Sequence, residues 1–335
     1  VTPLRIAFFG TPDFAVPALE RMLAGPHRVV VAVAQPDRPR GRGRTLQPGA
    51  VAARARAAGV PLLQPERVGA AEVVAALARC EPDLGVVVAF GQFLPRSVRE
   101  LPRLGYSING HASLLPRHRG AAPVQHAILA GDTETGVSVM RVEREMDAGA
   151  VMLVKRTLIG ASEDAGALSA RLAVLTAEAL AEALDLIAEG RAVWTEQDPA
   201  LATLAPKIER ADAEINFTRP AAELARRVRA LAPRPSARAH LGSETLYILA
   251  AHAEAGTSAL APGTVQRAGD ELRVATPDGW LALDRLQRAG GRPLATAELL
   301  RGFPIADGAR FRVPPPPQDA TSRPGPDDSS REGAG

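Results

Sequence analysis

"PDLGVVVAFG", residues 82–91, is an apolar run with no polar alternation. A strand with one face in water alternates apolar and polar side chains, so an unbroken run bounded by turn residues marks a strand buried on both faces. Similar runs lie on either side: "RIAFFG" (5–10) and "RVVVAVAQP" (28–36) before it, "GVSVMRVE" (136–143) and "AVMLVKRTL" (150–158) after it. Helical patterns separate them. "TPDFAVPALERML" (11–23) puts Leu19, Met22 and Leu23 on one face. Residues 162–190 are predicted helical, with Ser162 as N-cap and Gly190 as the stop. A break is expected between its two apolar sets, Leu168, Leu172, Leu175 and Leu180, Leu184, Ile187. Doubly buried strands separated by helices predict an α/β fold, a Rossmann-like, doubly wound, mostly parallel sheet.

The chain has 335 residues, 46% of them hydrophobic, which is enough for two ordinary domains. No apolar run approaches the ~20 residues of a membrane span. Strand-like residues begin at once with "LRIAFFG", so no secretory or transit segment is expected before the fold. The single cysteine, Cys80, excludes internal disulfides and suits a reducing cytoplasm. Within "AAEVVAALARC" (70–80) it reads as a small core hydrophobe. No Cys and His spacing suits a metal. The net charge of +3 says little about partners, because arginine is abundant throughout and lysine is confined to Lys155 and Lys207.

Beyond Gly190 the composition shifts. "VWTEQDPALATLAPKIER" (193–210) has little periodicity and reads as a linker, and "PAAELARRVRALAP" (220–233) as one helix. "TLYILAAH", "GTVQRAG", "ELRVATPDG" and "WLALDRLQ" are short strands with regularly spaced turns, which predicts a small barrel. From Pro314 the chain is rich in Pro, Ser, Gly and charge, a composition that predicts disorder. The expected organisation is therefore a catalytic domain (1–190), a linker (191–209), a barrel domain (210–313) and a tail (314–335).

Several stretches carry chemistry-bearing residues. In "FFGTPDF" (8–14) the Gly10-Thr11-Pro12 step is not a dinucleotide fingerprint, and Pro12 lacks an N–H to offer a phosphate. It predicts a turn at the carboxyl edge of the sheet, where ligands bind in such folds. "LGYSI" (104–108) is a predicted strand, from whose end Asn109 and His111 leave the sheet. Two apart in extended chain, they point the same way. An amide and an imidazole converging on one point suit a carbonyl becoming tetrahedral. Asn109 would donate to the oxyanion, typically worth ~10²–10³ in rate. His111 would donate or move protons, typically worth ~10²–10⁴. An Asn-Gly turn beside a hydrogen-bonded histidine accounts for the same residues without chemistry. In "EREMDAGAVM" (143–152) Asp147 offers a carboxylate to orient the imidazole, but Glu143 and Glu145 compete with it, and Asp begins turns for local reasons. "QPDRPRGRGRTLQP" (35–48) alternates Arg38, Arg40, Arg42 and Arg44 with Pro, Gly and Thr. Such a loop suits nucleic-acid phosphates, or is simply a solvated loop.

"INGHASLLPRHRGAAPVQHAILAGDTETGVSVM" (108–140) followed by "MDAGAVM" (146–152) resembles the folate-dependent formyltransferase family. That family is marked by an Asn-x-His pair, a Ser-Leu-Leu-Pro loop before an aromatic-Arg-Gly step, and a downstream Asp-x-Gly. "FFGTPDFAVPALE", "AVAQPDRPRGRGRTLQP", "VVVAFGQFLP", "LAPKIERADAEINF", "ALAPRPSA" and "LQRAGGRPLATAELLRG" resemble the members acting on methionyl-tRNA, so the likeness spans roughly residues 4–303. It implies Asn109, His111 and Asp147 as the catalytic trio. It implies 10-formyltetrahydrofolate as formyl donor, methionyl initiator tRNA as acceptor and a monomer; no metal and no membrane are expected from the residue pattern itself. It implies that Phe90, Gly91, Phe93 and Leu94 face the folate, with Ser113, Leu114, Leu115, Pro116 and Gly120 as loop and wall. His118 would stack in place of the usual aromatic residue. Arg38, Arg40, Arg42, Arg44 and Lys207 would meet the tRNA, and the barrel would be an OB-like tRNA-binding domain, with Arg226, Arg227, Arg229, Arg288 and Arg292 as further phosphate contacts.

The chain departs from the family pattern at Ala112, His118 and Ala150, and at "PRP" (233–235), where Pro-Trp-Pro is usual. None of these touches the trio. An amino-sugar formyltransferase, a formyl-folate hydrolase and a silent tRNA-binding module remain as alternatives; the arginine loop, the barrel and the intact trio weigh against them.

Overall fold

The computed structural model describes residues 2–40 and 45–313. They fall into two compact units, one running to Asp212 and including Arg226–Ser236, the other made of Ala213–Ala225 and the chain from Ala237.

The first unit contains β1 (Arg5–Gly10), α1 (Val16–Leu23), β2 (Arg28–Val33), β3 (Arg38–Arg40), β4 (Thr45–Gln47), α2 (Ala50–Ala57), β5 (Leu62–Leu63) and α3 (Ala71–Arg79). It continues with β6 (Leu84–Val88), α4 (Arg96–Arg99), β7 (Ser107–His111), α5 (Pro123–Ala130), β8 (Glu134–Arg141), β9 (Val151–Leu158) and α6 (Ala165–Ala188). Seven strands form one sheet in the order β5-β2-β1-β6-β7-β8-β9. The first five are parallel, β8 runs antiparallel to β7, and β9 antiparallel to β8, in the direction of the first five. Both faces of β1, β6 and β7 are covered, which is why they read as unbroken apolar runs, whereas β9, expected to be buried likewise, is an edge strand with Val154 and Leu158 exposed. On one face Phe8, Val86, Val88 and Ile108 pack with Leu19, Leu172 and Leu180. On the other, Phe9, Val31, Val33 and Val87 pack with Leu77 and Val98.

Three local expectations change. Asn109 and His111 lie inside β7 rather than beyond it, because β8 pairs along that length and matches Asn109 with Met140 and His111 with Ser138. The long helix is capped by Asp164, whose carboxylate accepts the Ala167 N–H, and not by Ser162. The expected break is absent: buried Ala173, Ala177, Ala179 and Ala183 join the two leucine sets into one stripe along a continuous helix. Gly190, with φ of +67°, ends it in the left-handed conformation.

Residues 193–210 are irregular but tied to the sheet region. Thr195 bridges to Val151 and Leu204 to Arg119. The flanks of the arginine stretch form a two-stranded ribbon, pairing Arg38 with Gln47 and Arg40 with Thr45.

Helix α7 (Ala221–Leu231) contributes Ala221–Ala225 to the second unit and its remaining residues to the first. The second unit holds β10 (Ala237–Leu241), β11 (Glu244–Ala255), β12 (Val265–Ala268), β13 (Glu271–Thr276), β14 (Gly279–Arg288), β15 (Leu294–Ala295) and α8 (Thr296–Gly302). Its antiparallel path is β10-β11-β14-β13-β12. The segment around Ala309–Arg312 bonds to both edge strands: Val265 N–H donates to Ala309 and Arg312 N–H to His240, closing the sheet into a barrel. Phe217 and Phe311 stack in its core with ring centres 5.2 Å apart. Among the described residues no helix is long and apolar enough to cross a membrane.

Candidate active site

A cavity of about 670 Å³ opens where β1, β6 and β7 end. Asn109, His111, Gly120 and Asp147 line it. Its apolar lining comes from both faces of the sheet: Val87, Phe90 and Leu94 belong to one core, while Val124 belongs to the other, against which Phe14 packs. The cavity therefore wraps the carboxyl edge of the sheet.

Alternation along β7 sets the catalytic face. Ile108 and Gly110 face α6, and a β-carbon on Gly110 would sit 2.6 Å from Thr176 Cγ2 and 3.1 Å from Leu180 Cδ1. Asn109 and His111 point the opposite way. Past β6, Ala89 (φ +47°) and Gly91 (φ +86°) turn the chain sharply and send Phe90 back into the core, edge-on to Phe9. Thr11 donates to the Phe90 carbonyl and accepts the Gln35 N–H, so the loops after β1, β2 and β6 are fastened together. Gly91 and Phe93 also line the cavity, Phe93 from an exposed position.

His111 is buried, and its ring is held from both ends. Nε2 lies 2.9 Å from the His118 carbonyl, an acceptor, so Nε2 carries a proton and Nδ1 is the nitrogen left to face the site. Asp147 Oδ2 lies 3.6 Å from that Nδ1 and accepts the Gly120 N–H at 2.8 Å. The other two acidic candidates are placed differently. Glu143 and Glu145 also line the cavity, Glu145 as an exposed side chain 3.7 Å from Arg119.

Asp147 itself has φ of +52°. Two features hold its turn in place. Gly149 admits the close passage of the Arg141 carbonyl, which would lie 2.1 Å from a β-carbon there. Arg141, the last residue of β8, lies over the rings of both Tyr106 and Trp194, 4.7 and 4.5 Å from their centres. Burial raises the Tyr106 hydroxyl pKa above its ordinary value, against the opposing charge of Arg141.

Ser113, Leu114, Leu115 and Pro116, expected to wall the folate, lie outside the cavity lining. The loop is tied to β8 instead: Ser138 donates to the Ser113 carbonyl while accepting the Leu115 N–H, Leu114 lies against Gly136, and Ser113 donates within the loop to the Arg117 carbonyl. His118 is not a stacking surface either. Its φ is +58°, its ring is buried, and Nε2 sits 2.7 Å from Asp132, which also pairs with Arg117. That anchoring turns the His118 carbonyl toward His111. His126 is bonded to the Pro206 carbonyl, and burial holds it below its ordinary pKa.

Two contributors were hidden in the presumed linker. Thr203 accepts the His118 N–H, and Gln197 bonds to the Asp147 turn. Their only sign in the sequence is an aperiodic stretch, which describes a free linker equally well.

Residues 4–184 match the formyl transferase family and residues 207–304 its C-terminal domain. Over 316 residues the chain is 47% identical to the methionyl-tRNA formyltransferase of Chromohalobacter salexigens, spanning 92% of this chain and 97% of that protein. The chain belongs to the methionyl-tRNA formyltransferase family. Among solved structures, HypX from Aquifex aeolicus in complex with tetrahydrofolic acid has a TM-score of 0.61 at 17% identity, over 91% of this chain and 48% of that one. The N-formyltransferase from Helicobacter canadensis, in complex with folinic acid and dTDP-3-aminofucose, has a TM-score of 0.62 at 14% identity, over 84% and 98%. At such identities these two show the shared fold.

The basic residues expected to meet the acceptor of this family differ in their surroundings. Arg38 is exposed on β3 and Arg40 lies at its end, whereas Arg42 and Arg44 lie outside the described residues. Lys207 is exposed, 3.4 Å from Glu209. Three helix arginines serve the protein itself. Arg227 donates to the Asp212 carbonyl, Arg229 to the Gly160 and Glu163 carbonyls, and Arg226 lies against Gly131. Arg288 pairs with Glu244 and Arg292 with Glu298. Among the described residues no group of three or more His, Cys, Asp or Glu side chains is placed to hold a metal ion.

Proposed function

We propose that this chain transfers the formyl group of 10-formyltetrahydrofolate to the free α-amino group of methionyl initiator tRNA. The observation that carries the reading is the convergence of Asn109, His111 and Asp147 on one cavity that wraps the sheet edge. The near-full-length identity to a protein named for this activity supports it. The cavity suits the donor: about 670 Å³ lies within the ~300–1,000 Å³ of small-molecule sites, with apolar walls and few convergent polar groups. The side of the cavity lined by Val87, Phe90 and Leu94 receives the ring system, with Gly91 and Phe93 at its margin. The side lined by Phe14 and Val124 receives the methionyl end. The first unit carries the chemistry, and the second, with Arg38, Arg40, Arg42, Arg44 and Lys207, binds the tRNA.

The α-amine attacks in its neutral form, which is accessible near neutrality because a free α-amino group ordinarily titrates at ~8. Attack on the formyl carbon places negative charge on its oxygen, where the Asn109 amide donates. His111 is the second donor as the imidazolium: Nε2–H is committed to the His118 carbonyl, so only a ring that also carries a proton on Nδ1 can donate to the oxyanion. The attacking nitrogen loses a proton toward Asp147 or water, and the leaving nitrogen of the folate gains one. No covalent enzyme intermediate is needed.

The test follows formyl label from 10-formyltetrahydrofolate into methionyl-tRNA, with free formate counted in parallel. Label in tRNA supports the reading. Label in formate alone makes the protein a hydrolase, and no transfer by folded protein overturns the tRNA reading and directs the search to amino-sugar acceptors.

A further inference from the structure

Gln197 sits in the aperiodic segment after α6, and every hydrogen-bonding position of its amide is used. Its Nε2 donates to the carbonyls of Asp147 and Gly149, each at 2.8 Å. Its Oε1 accepts from Arg119, Nε at 3.1 Å and the terminal nitrogen at 2.8 Å. A side-chain amide has two donor hydrogens and two acceptor lone pairs, so the group is saturated and its orientation fixed. Arg119 is buried, and its backbone pairs with the same segment: its N–H donates to Thr203 at 2.8 Å and its carbonyl accepts from Ala205 at 2.7 Å. The next residue, Gly120, donates to the Asp147 carboxylate.

Two independent ties thus act on Asp147. The Gly120 N–H fixes its carboxylate, and Gln197 fixes its backbone on both sides of Ala148. The second tie matters because Asp147 occupies a left-handed backbone conformation that a non-glycine residue holds only when its surroundings impose it. We propose that Gln197 is a positioning residue for the transfer reaction. It clamps the Asp147 turn and the Arg119-Gly120 step to one rigid point, so that the carboxylate stays against His111 Nδ1. This rests on the formyl-transfer reading of the site.

Gln197→Glu is the discriminating variant. It keeps the side-chain length and an acceptor for Arg119, but sets a carboxylate oxygen against two carbonyls in place of the donor. Gln197→Met, which keeps the volume and loses every bond, runs beside it, so a folding defect in one leaves the other to decide. With melting temperatures near wild type, kcat should fall ~10–100-fold, because a misplacement of about 1 Å caused by a change outside the reacting groups can cost ~10²-fold. KM for formyl-folate should stay within ~2-fold. Hydrogen–deuterium exchange of the peptide spanning the Asp147 turn should rise. Wild-type kcat in both variants, a loss confined to KM, or unchanged exchange overturns the inference. So does a Gln197→Met defect that Gln197→Glu fully restores, which would assign Gln197 to Arg119 alone. Wild-type protein that moves no formyl to methionyl-tRNA defeats the functional reading, and exchange then decides the clamp.

Discussion

Gly110 separates Asn109 from His111 and faces the other way, into α6. Any side chain there meets Thr176 and Leu180, so the helix lies flat against β7 only because that position is glycine. Gly110→Ala is expected to destabilise by ~1–3 kcal/mol through overpacking, with activity falling as β7 is pushed outward. Adding Thr176→Ser, which deletes the nearer methyl, should recover part of both, read as urea midpoint and kcat. Asn109→Ala should lower kcat ~10²–10³-fold with formyl-folate affinity little changed, because the amide is asked to act on charge that appears only during transfer. At this scale the sequence shows residue types and their spacing. It does not show that a backbone carbonyl, that of His118, takes Nε2 of His111, since nothing in a single sequence marks a left-handed histidine.

Helix α6 is the element that backs the site, and its start is secured by charge. Glu163 accepts from Arg171 at 3.0 and 2.9 Å and from the Gly160 N–H at 3.0 Å. Those bonds, the Arg171 pair foremost, hold its carboxyl below the ordinary range against the opposing effect of burial. A carboxyl with a depressed folded pKa contributes stability above its unfolded value of ~4.3 and loses it as pH falls through the folded value. Glu163→Gln should therefore lower stability by ~1 kcal/mol at neutral pH, with the difference narrowing as pH falls below the unfolded value of ~4.3, measured by urea denaturation at neutral pH and through the acid range. Elements were legible where burial is symmetric: the runs at 5–10 and 82–91 coincide with β1 and β6 apart from their ends. They were less legible where the deciding group is remote. Strand β7 extends to His111 because β8 pairs with it, and alanines between two leucine sets look like a break until the sheet beneath them is seen.

For the molecule as a whole, a formal charge of +3 on 335 residues is too small to drive nucleic-acid binding by itself. Under the proposed function, affinity for tRNA rests on local arginines. Replacing Arg38 or Arg42 with Ala should weaken tRNA binding about equally across sequences and reduce the slope of log affinity against log salt by ~1 for each phosphate left unneutralised. The check is a set of binding titrations between ~50 and ~200 mM salt; an unchanged slope removes that residue from the interface.

The cavity that bends around the sheet edge has a consequence for the order of events. Two reactants reaching one carbonyl from opposite faces do not occupy each other's space, so neither has to leave before the other arrives. Initial rates measured against both substrates should give intersecting lines, the signature of a ternary complex. Formylated tRNA should compete with unformylated tRNA and not with the folate.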